Sequence, residues 1–433
     1  MSMRILRGRV LSFLSEPQGL DDTASYRYIE DGAISIVDGK IVAVGTFDAA
    51  LVGDGEVIDH RPHLIMPGFI DTHLHYVQSQ IVASYAGSLL EWLNTYTFIE
   101  EQKFSQQGHA ATIASAFYDE LIRNGTTTAA AYCSSAPASV DAYFAEAEKR
   151  NMLMIGGKVM MDRHAPEALC DTAQSSYDDS KTLIARWHGR GRGLYAISPR
   201  FAITSTPEQL AAAQSLVAEH PECYVQTHLS ENNAEITLSL QLYPEAPDYT
   251  GIYEHYGLLG PKTLLGHCIH LDHRETELLA DTGAVAVFCP TSNLFLGSGL
   301  FDRARLQQHG VRIGVATDIG GGTSFSMLRT LDEGYKVLQL RGQRLTPFNS
   351  FYMMTLGNAR ALSLEGTIGT IAPGCAADLV VLNAAATPAM ALRMQTATQL
   401  VEELFLLQTL GDDRAIAEVY VAGAQAKSTL DGL

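Results

Sequence analysis

Pro67–His75 reads PGFIDTHLH, an apolar run that stops on two histidines two residues apart. That spacing puts His73 and His75 on one face of an extended strand, whereas on a helix they would point about 200° apart. The run that leads into them is read as a strand over Leu64–Ile70. Further apolar, β-rich runs follow at Thr126–Tyr132, Leu153–Met161, Leu194–Ser198, Tyr224–Leu229, Thr263–Gly266, Ala284–Phe288 and Arg312–Ala316. Helical patterns lie between most of them, among them His109–Asn124, Pro137–Arg150 and Thr206–Glu219. Strands alternating with helices fit a (β/α)8 TIM-like barrel of the α/β class. A doubly wound sheet shares this alternation, and periodicity alone does not separate the two.

Outward from the barrel, both ends of the chain read as β. Ala33–Val44 (AISIVDGKIVAV) has two short apolar runs around Asp38-Gly39, a two-residue hairpin signal. Ala377–Leu382 (ADLVVL) and Glu418–Ala422 (EVYVA) are strands of the same style, separated by a helical pattern near Thr396–Gln408 that stops at Gly411. The two ends are expected to pair into a small β-sandwich domain (1–66 with 372–433) flanking a barrel domain over 67–371.

Of 433 residues, 46% are hydrophobic and 18% charged, enough to bury a large core and too ordered a composition for intrinsic disorder. A formal net charge of −18 argues against nucleic acid or an anionic membrane as partner, since both require a basic footprint. Cys133, Cys170, Cys223, Cys268, Cys289 and Cys375 form no CxxC pair and read as reduced thiols. No export signal or membrane span is visible, so a cytoplasmic protein is expected. Gly189–Gly193 (GRGRG) is a basic loop without a preceding strand, and no G-x-G-x-x-G follows a strand, which disfavours a dehydrogenase.

Polar residues cluster at the ends of the runs. Beyond His73 and His75, His228 ends VQTHLSE, His267 ends LLGHCIH, and Asp318 ends GVATDIGGG. In a parallel barrel these ends gather at one mouth, where active sites are built. Imidazoles and a carboxylate gathered there suit Zn²⁺. Any one of these histidines alone reads as structural; the coincidence at separate strand ends favours a metal. Glu231, three residues past His228, is an exposed loop acid on composition alone, but its place beside a ligand strand fits proton transfer.

These residues carry a family likeness. PGFIDTHLH, a His followed by SE, a later GH and a TD resemble the amidohydrolase superfamily of metal-dependent hydrolases and deaminases. Within it, HYVQ (His75–Gln78), LLEWLNTYTF (Leu89–Phe98), SPRFAIT (Ser198–Thr204), HLSENNAEI (His228–Ile236), TDIGGGTSFSML (Thr317–Leu328) and LGDDRAIAEVYVAG (Leu410–Gly423) resemble the guanine deaminase family.

The resemblance implies that His73, His75, His228 and Asp318 hold zinc, with iron as the alternative. His267 would hydrogen-bond the attacking water, Asp318 accept its proton, and Glu231 shuttle protons. Gln78 and Arg200 would read the polar edge of guanine, and Trp92 and Phe201 wall the pocket. Two-metal relatives place a carboxylated lysine at the fourth strand end; here Ser198-Pro199-Arg200 stands there, implying one metal per subunit. A small-molecule substrate and a homodimer are expected. His164, in MDRHAPEALCDT, is read as a loop histidine. Rival readings are a deaminase of 8-oxoguanine, a pterin or a triazine, and a non-catalytic barrel relative. H-E-x-x-H is absent, which disfavours a metalloprotease.

Overall fold

The chain is described by a computed structural model covering residues 3–49, 55–85 and 89–428. Strands β1 (Arg4–Phe13), β2 (Tyr26–Val37), β3 (Lys40–Thr46) and β4 (Glu56–Pro67) open the chain. Then come β5 (Phe69–His75), β6 (Thr126–Tyr132), β7 (Leu153–Gly157), β8 (Val159–Met160) and β9 (Gly193–Pro199). They are followed by β10 (Tyr224–Leu229), β11 (Thr263–His267), β12 (Val285–Phe288) and β13 (Arg312–Val315). Strands β14 (Leu379–Leu382), β15 (Ile416–Val421) and β16 (Ala424–Ser428) close it.

The two ends do meet. One seven-stranded sheet runs β16-β15-β14-β4-β1-β2-β3, with β14 antiparallel to β4 from Leu379↔Pro67 to Leu382↔Leu64. Asp38 and Gly39 turn β2 into β3 with φ of 51° and 77°, the left-handed pair a tight hairpin requires. Leu6, Ile34 and Ile36 from one half bury in the same cluster as Leu379, Val381 and Tyr420 from the other. Where a sandwich was expected, the termini thus form one continuous hydrogen-bonded sheet with a shared apolar cluster.

The barrel strands run in chain order, each parallel to the next, from β5 to β13, with β8 paired only to β9. Side chains close the ring between β13 and β5. Asn358 Nδ2 donates to Ile70 O (2.6 Å) and Val315 O (2.8 Å), while its Oδ1 accepts from Val315 N (2.9 Å). Just beyond, Asp318 N donates to His73 O at 3.0 Å. This is a barrel, not a doubly wound sheet.

Two expected runs divide. Leu64–Ile70 is shared: residues through Pro67 belong to β4, and the first barrel strand begins at Phe69. A Cβ on the intervening Gly68 would lie 2.2 Å from Thr127 Oγ1, so the handover requires glycine. Leu153–Met161 likewise breaks into β7 and β8 around Lys158. Apolar periodicity records burial, which is continuous across both handovers, and so cannot show the change of partner.

The expected helices lie at Gln107–Arg123, Pro137–Arg150 and Pro207–Glu219, the last capped by Thr206 Oγ1 accepting from Gln209 N. The GRGRG turn ties its arginines to carboxylates, Arg190 to Glu148 and Arg192 to Asp378. Among the described residues no helix is long and apolar enough to cross a membrane.

Candidate active site

Barrel geometry delivers the polar residues to one place because each ends, or just follows, a parallel strand. His73 and His75 finish β5, His228 lies at the end of β10, His267 ends β11, and Asp318 follows β13. Left-handed backbone at His267 (φ 73°) and Asp318 (φ 52°) turns the chain sharply at those ends. His73, His75, His267, Asp318 and Glu231 are buried, and His228 is half-buried.

The donor atoms converge. His75 Nε2 lies 3.1 Å from His228 Nε2. Asp318 Oδ1 is 3.4 Å from His73 Nε2 and 3.7 Å from His75 Nε2. Ligands at about 2.1 Å around a tetrahedral cation stand roughly 3.4 Å apart, so these separations suit a metal. His228 Nδ1 donates to Arg200 O at 2.7 Å, which fixes its tautomer and leaves Nε2 as a lone-pair donor. Both ring nitrogens of His73, and Nδ1 of His75, are buried without a hydrogen-bond partner.

Charge state agrees with that use. Burial pushes the imidazoles of His75 and His228 well below their usual range, and neighbouring histidine and Arg200 charges push the same way. Both are therefore neutral bases. Burial raises Asp318, but His73 and His267 outweigh it and hold the carboxylate ionised. Cys289 lies beside His73 and Asp318, and burial drives its thiol well above the usual range.

His267 Nε2 stands 3.5 Å from Glu231 Oε2 and 3.8 Å from Asp318 Oδ2, with Nδ1 held by Asn293 Oδ1 at 2.9 Å. His267 also falls in a group with His73 and His228 whose donor atoms lie within 4.8 Å of one another. Burial opposes charge on this ring, but Glu231 and Asp318 together raise its pKa. Glu231 Oε1 accepts from Ser298 Oγ at 2.7 Å, and burial raises its carboxyl above the ordinary range.

A cavity opens on this cluster. Its wall carries His75, His228, His267, Glu231 and Asp318, together with Gln78, Trp92, Arg200 and Phe201. Every residue expected at the site except the deeper His73 therefore lines it. His164 is exposed and outside it, as a loop histidine. Lys158, fully buried at the end of β7, pairs with Asp171 and does not line the cavity.

A family model for the amidohydrolases matches residues 64–426. The chain belongs to the amidohydrolase family. Guanine deaminase of Escherichia coli K12 is 47% identical over 98% of this chain and 97% of that protein. The solved E. coli guanine deaminase superposes with a TM-score of 0.96 at 46% identity, covering 98% of this chain and all of that one. A guanine deaminase from C. acetobutylicum, solved with bound guanine in the active site, superposes with a TM-score of 0.88 at 28% identity, over 98% of this chain and 100% of that one.

Three residues at this amidohydrolase site escape a reading of the sequence. Glu101, fully buried, accepts from both Gln78 Nε2 and Arg200 Nη1. In FIEEQKF it resembles a solvated helix face, and its arginine lies 99 residues away. Glu235 lines the cavity and accepts from Glu231 N at 2.8 Å and Tyr249 Oη at 2.9 Å. Burial, and secondly the Glu231 charge, push it up to about 7. Its only sequence signal is the capping box Asn232–Glu235. Tyr132 stacks on His75, ring centroids 4.5 Å apart.

Proposed function

We propose that this chain is a zinc-dependent guanine aminohydrolase, converting guanine and water to xanthine and ammonia. One observation carries the reading: a single cavity joins a buried His–Asp cluster to a polar wall formed by Gln78 and Arg200. The E. coli relative and the guanine-bound structural neighbour support guanine over pterins, triazines or 8-oxoguanine. A non-catalytic relative has no use for intact donors, and here every donor is retained.

His73, His75, His228 and Asp318 would hold the metal. Zn²⁺ in such a set lowers the pKa of water toward about 7 and makes hydroxide available at neutral pH. Glu231, kept protonated to higher pH by burial, gives a proton to ring nitrogen N3 as C2 becomes tetrahedral. Asp318 takes the proton of the attacking oxygen, and Glu231 helps pass it to the amine, which leaves as ammonia while the C2 oxygen becomes the carbonyl. His267, fixed by Asn293, holds the attacking oxygen in line beside Glu231 and Asp318. Arg200 and Gln78 bind the oxygen-bearing edge of the purine, and Trp92 and Phe201 sandwich its apolar faces. Burying these polar groups against adenine, which lacks O6, leaves them unpaired and so rejects it.

The test is substrate turnover. Purified protein with its metal quantified should release ammonia from guanine and form xanthine. Turnover of a pterin or triazine in preference to guanine would replace the substrate assignment.

A further inference from the structure

Glu101 touches neither the cavity nor the histidine cluster, yet it holds both polar residues of the purine-facing wall. It is fully buried, at the end of the helical segment Phe98–Glu101. Its Oε1 accepts from Gln78 Nε2 at 2.9 Å, and Arg200 Nη1 lies 2.9 and 2.8 Å from its two oxygens. Gln78 Oε1 in turn accepts from the backbone N–H of Gly320 at 3.3 Å. The Gln78 amide is thereby pinned: turned over, its oxygen would face a carboxylate and its NH₂ a backbone N–H. The Glu101 pair uses Nη1 of Arg200, which leaves Nη2 and Nε of this cavity-lining residue outside the pair. A guanidinium without this partner would also add an unopposed buried charge beside the histidines.

We propose that Glu101 is a positioning residue that keeps this wall a hydrogen-bond donor surface. In that role it sets the preference for a purine with an acceptor oxygen at C6 over one with an amino group there. The inference rests on the guanine reading for the identity of the occupant and adds the residue that enforces the choice. A carboxylate accepts from Gln78 and Arg200 at once; an amide in its place offers one oxygen and a competing NH₂. Turning the Gln78 amide is then the simplest relief, and it changes the donor pattern that the cavity presents.

The test compares guanine with 2,6-diaminopurine, which carries the same 2-amino group but an amino group at C6. Glu101→Gln should raise KM for guanine about tenfold with kcat changed less than about threefold, and narrow the guanine preference in kcat/KM about tenfold. Hypoxanthine and adenine lack the 2-amino group, so their Kd ratio reads the same discrimination without chemistry and should narrow by a similar factor. Glu101→Asp keeps the charge but withdraws it by one methylene; a narrowing of about threefold is expected, and it stands in if the amide variant fails to fold. Equal losses for both purines, or unchanged Kd ratios, in whichever variant folds would overturn the role of Glu101. Absence of ammonia release from guanine by the parent protein would instead overturn the substrate reading, while the hypoxanthine–adenine comparison still decides Glu101.

Discussion

Glu231 is the residue whose surroundings most define its task. It is buried, holds Ser298 Oγ with one oxygen, and has His267 3.5 Å from the other. Glu231→Gln should leave metal content unchanged while lowering kcat about 10²–10⁴-fold, the range for a lost proton-transfer group; near-normal turnover removes it from that role. Arg200→Ala should raise KM for guanine about 10–100-fold, the worth of a charged hydrogen bond, and unchanged KM would take Arg200 out of the pocket. At this scale the sequence was legible where chemistry coincides with a strand end, as for His73, His75, His228, His267 and Asp318. Glu101 and Glu235 were not legible, because what gives them meaning is a partner distant in sequence, Arg200 for one and Tyr249 for the other.

At the scale of elements, the closing of the barrel depends on Asn358 more than on a strand ladder. Asn358→Ala would take this buried partner from Ile70 O and Val315 N, while Val315 O keeps Thr72 Oγ1 at 3.1 Å, and should cost about 2–4 kcal/mol in denaturant unfolding. A cost below about 0.5 kcal/mol would mean that other contacts close the ring. Glu235 anchors the turn between β10 and the helix Asn233–Leu242 and has a carboxyl raised from 4.5 to about 7 by burial and by Glu231. The folded protein therefore binds this proton more tightly than the unfolded chain. Its contribution is fully present below pH 4.5 and is lost as pH rises through about 7. Glu235→Gln should flatten that part of the decline in Tm, and an unchanged slope would assign the titration elsewhere. Strand order was readable from alternation, but the handover at Gly68 was not. The residues on both sides of Gly68 are equally buried, and the steric demand of Thr127 that fixes it comes from another strand.

For the molecule as a whole, the ends of the chain are one structure. Asp378 accepts from Ala422 N at 2.7 Å and pairs with Arg192 of the barrel side, so the C-terminal strands are tied to both units. Removing residues 372–433 would expose the Leu64–Pro67 edge of β4 and the apolar cluster it shares with β14 and β15; the shortened chain should fail to unfold cooperatively in calorimetry. A cooperative transition would show the barrel to be independent. The two-ended β unit was foreseeable because strands of one style appear only at the termini, whereas its continuity as one sheet depends on the length of β4, which pairs with β1 and β14 in turn. The most direct test of the central claim is made on chelated protein reconstituted with increasing zinc, scored by ammonia and xanthine formed from guanine. Activity should be lost on chelation and return linearly until about one zinc per chain. Full guanine turnover by the metal-free protein, or none at any zinc content, would contradict it.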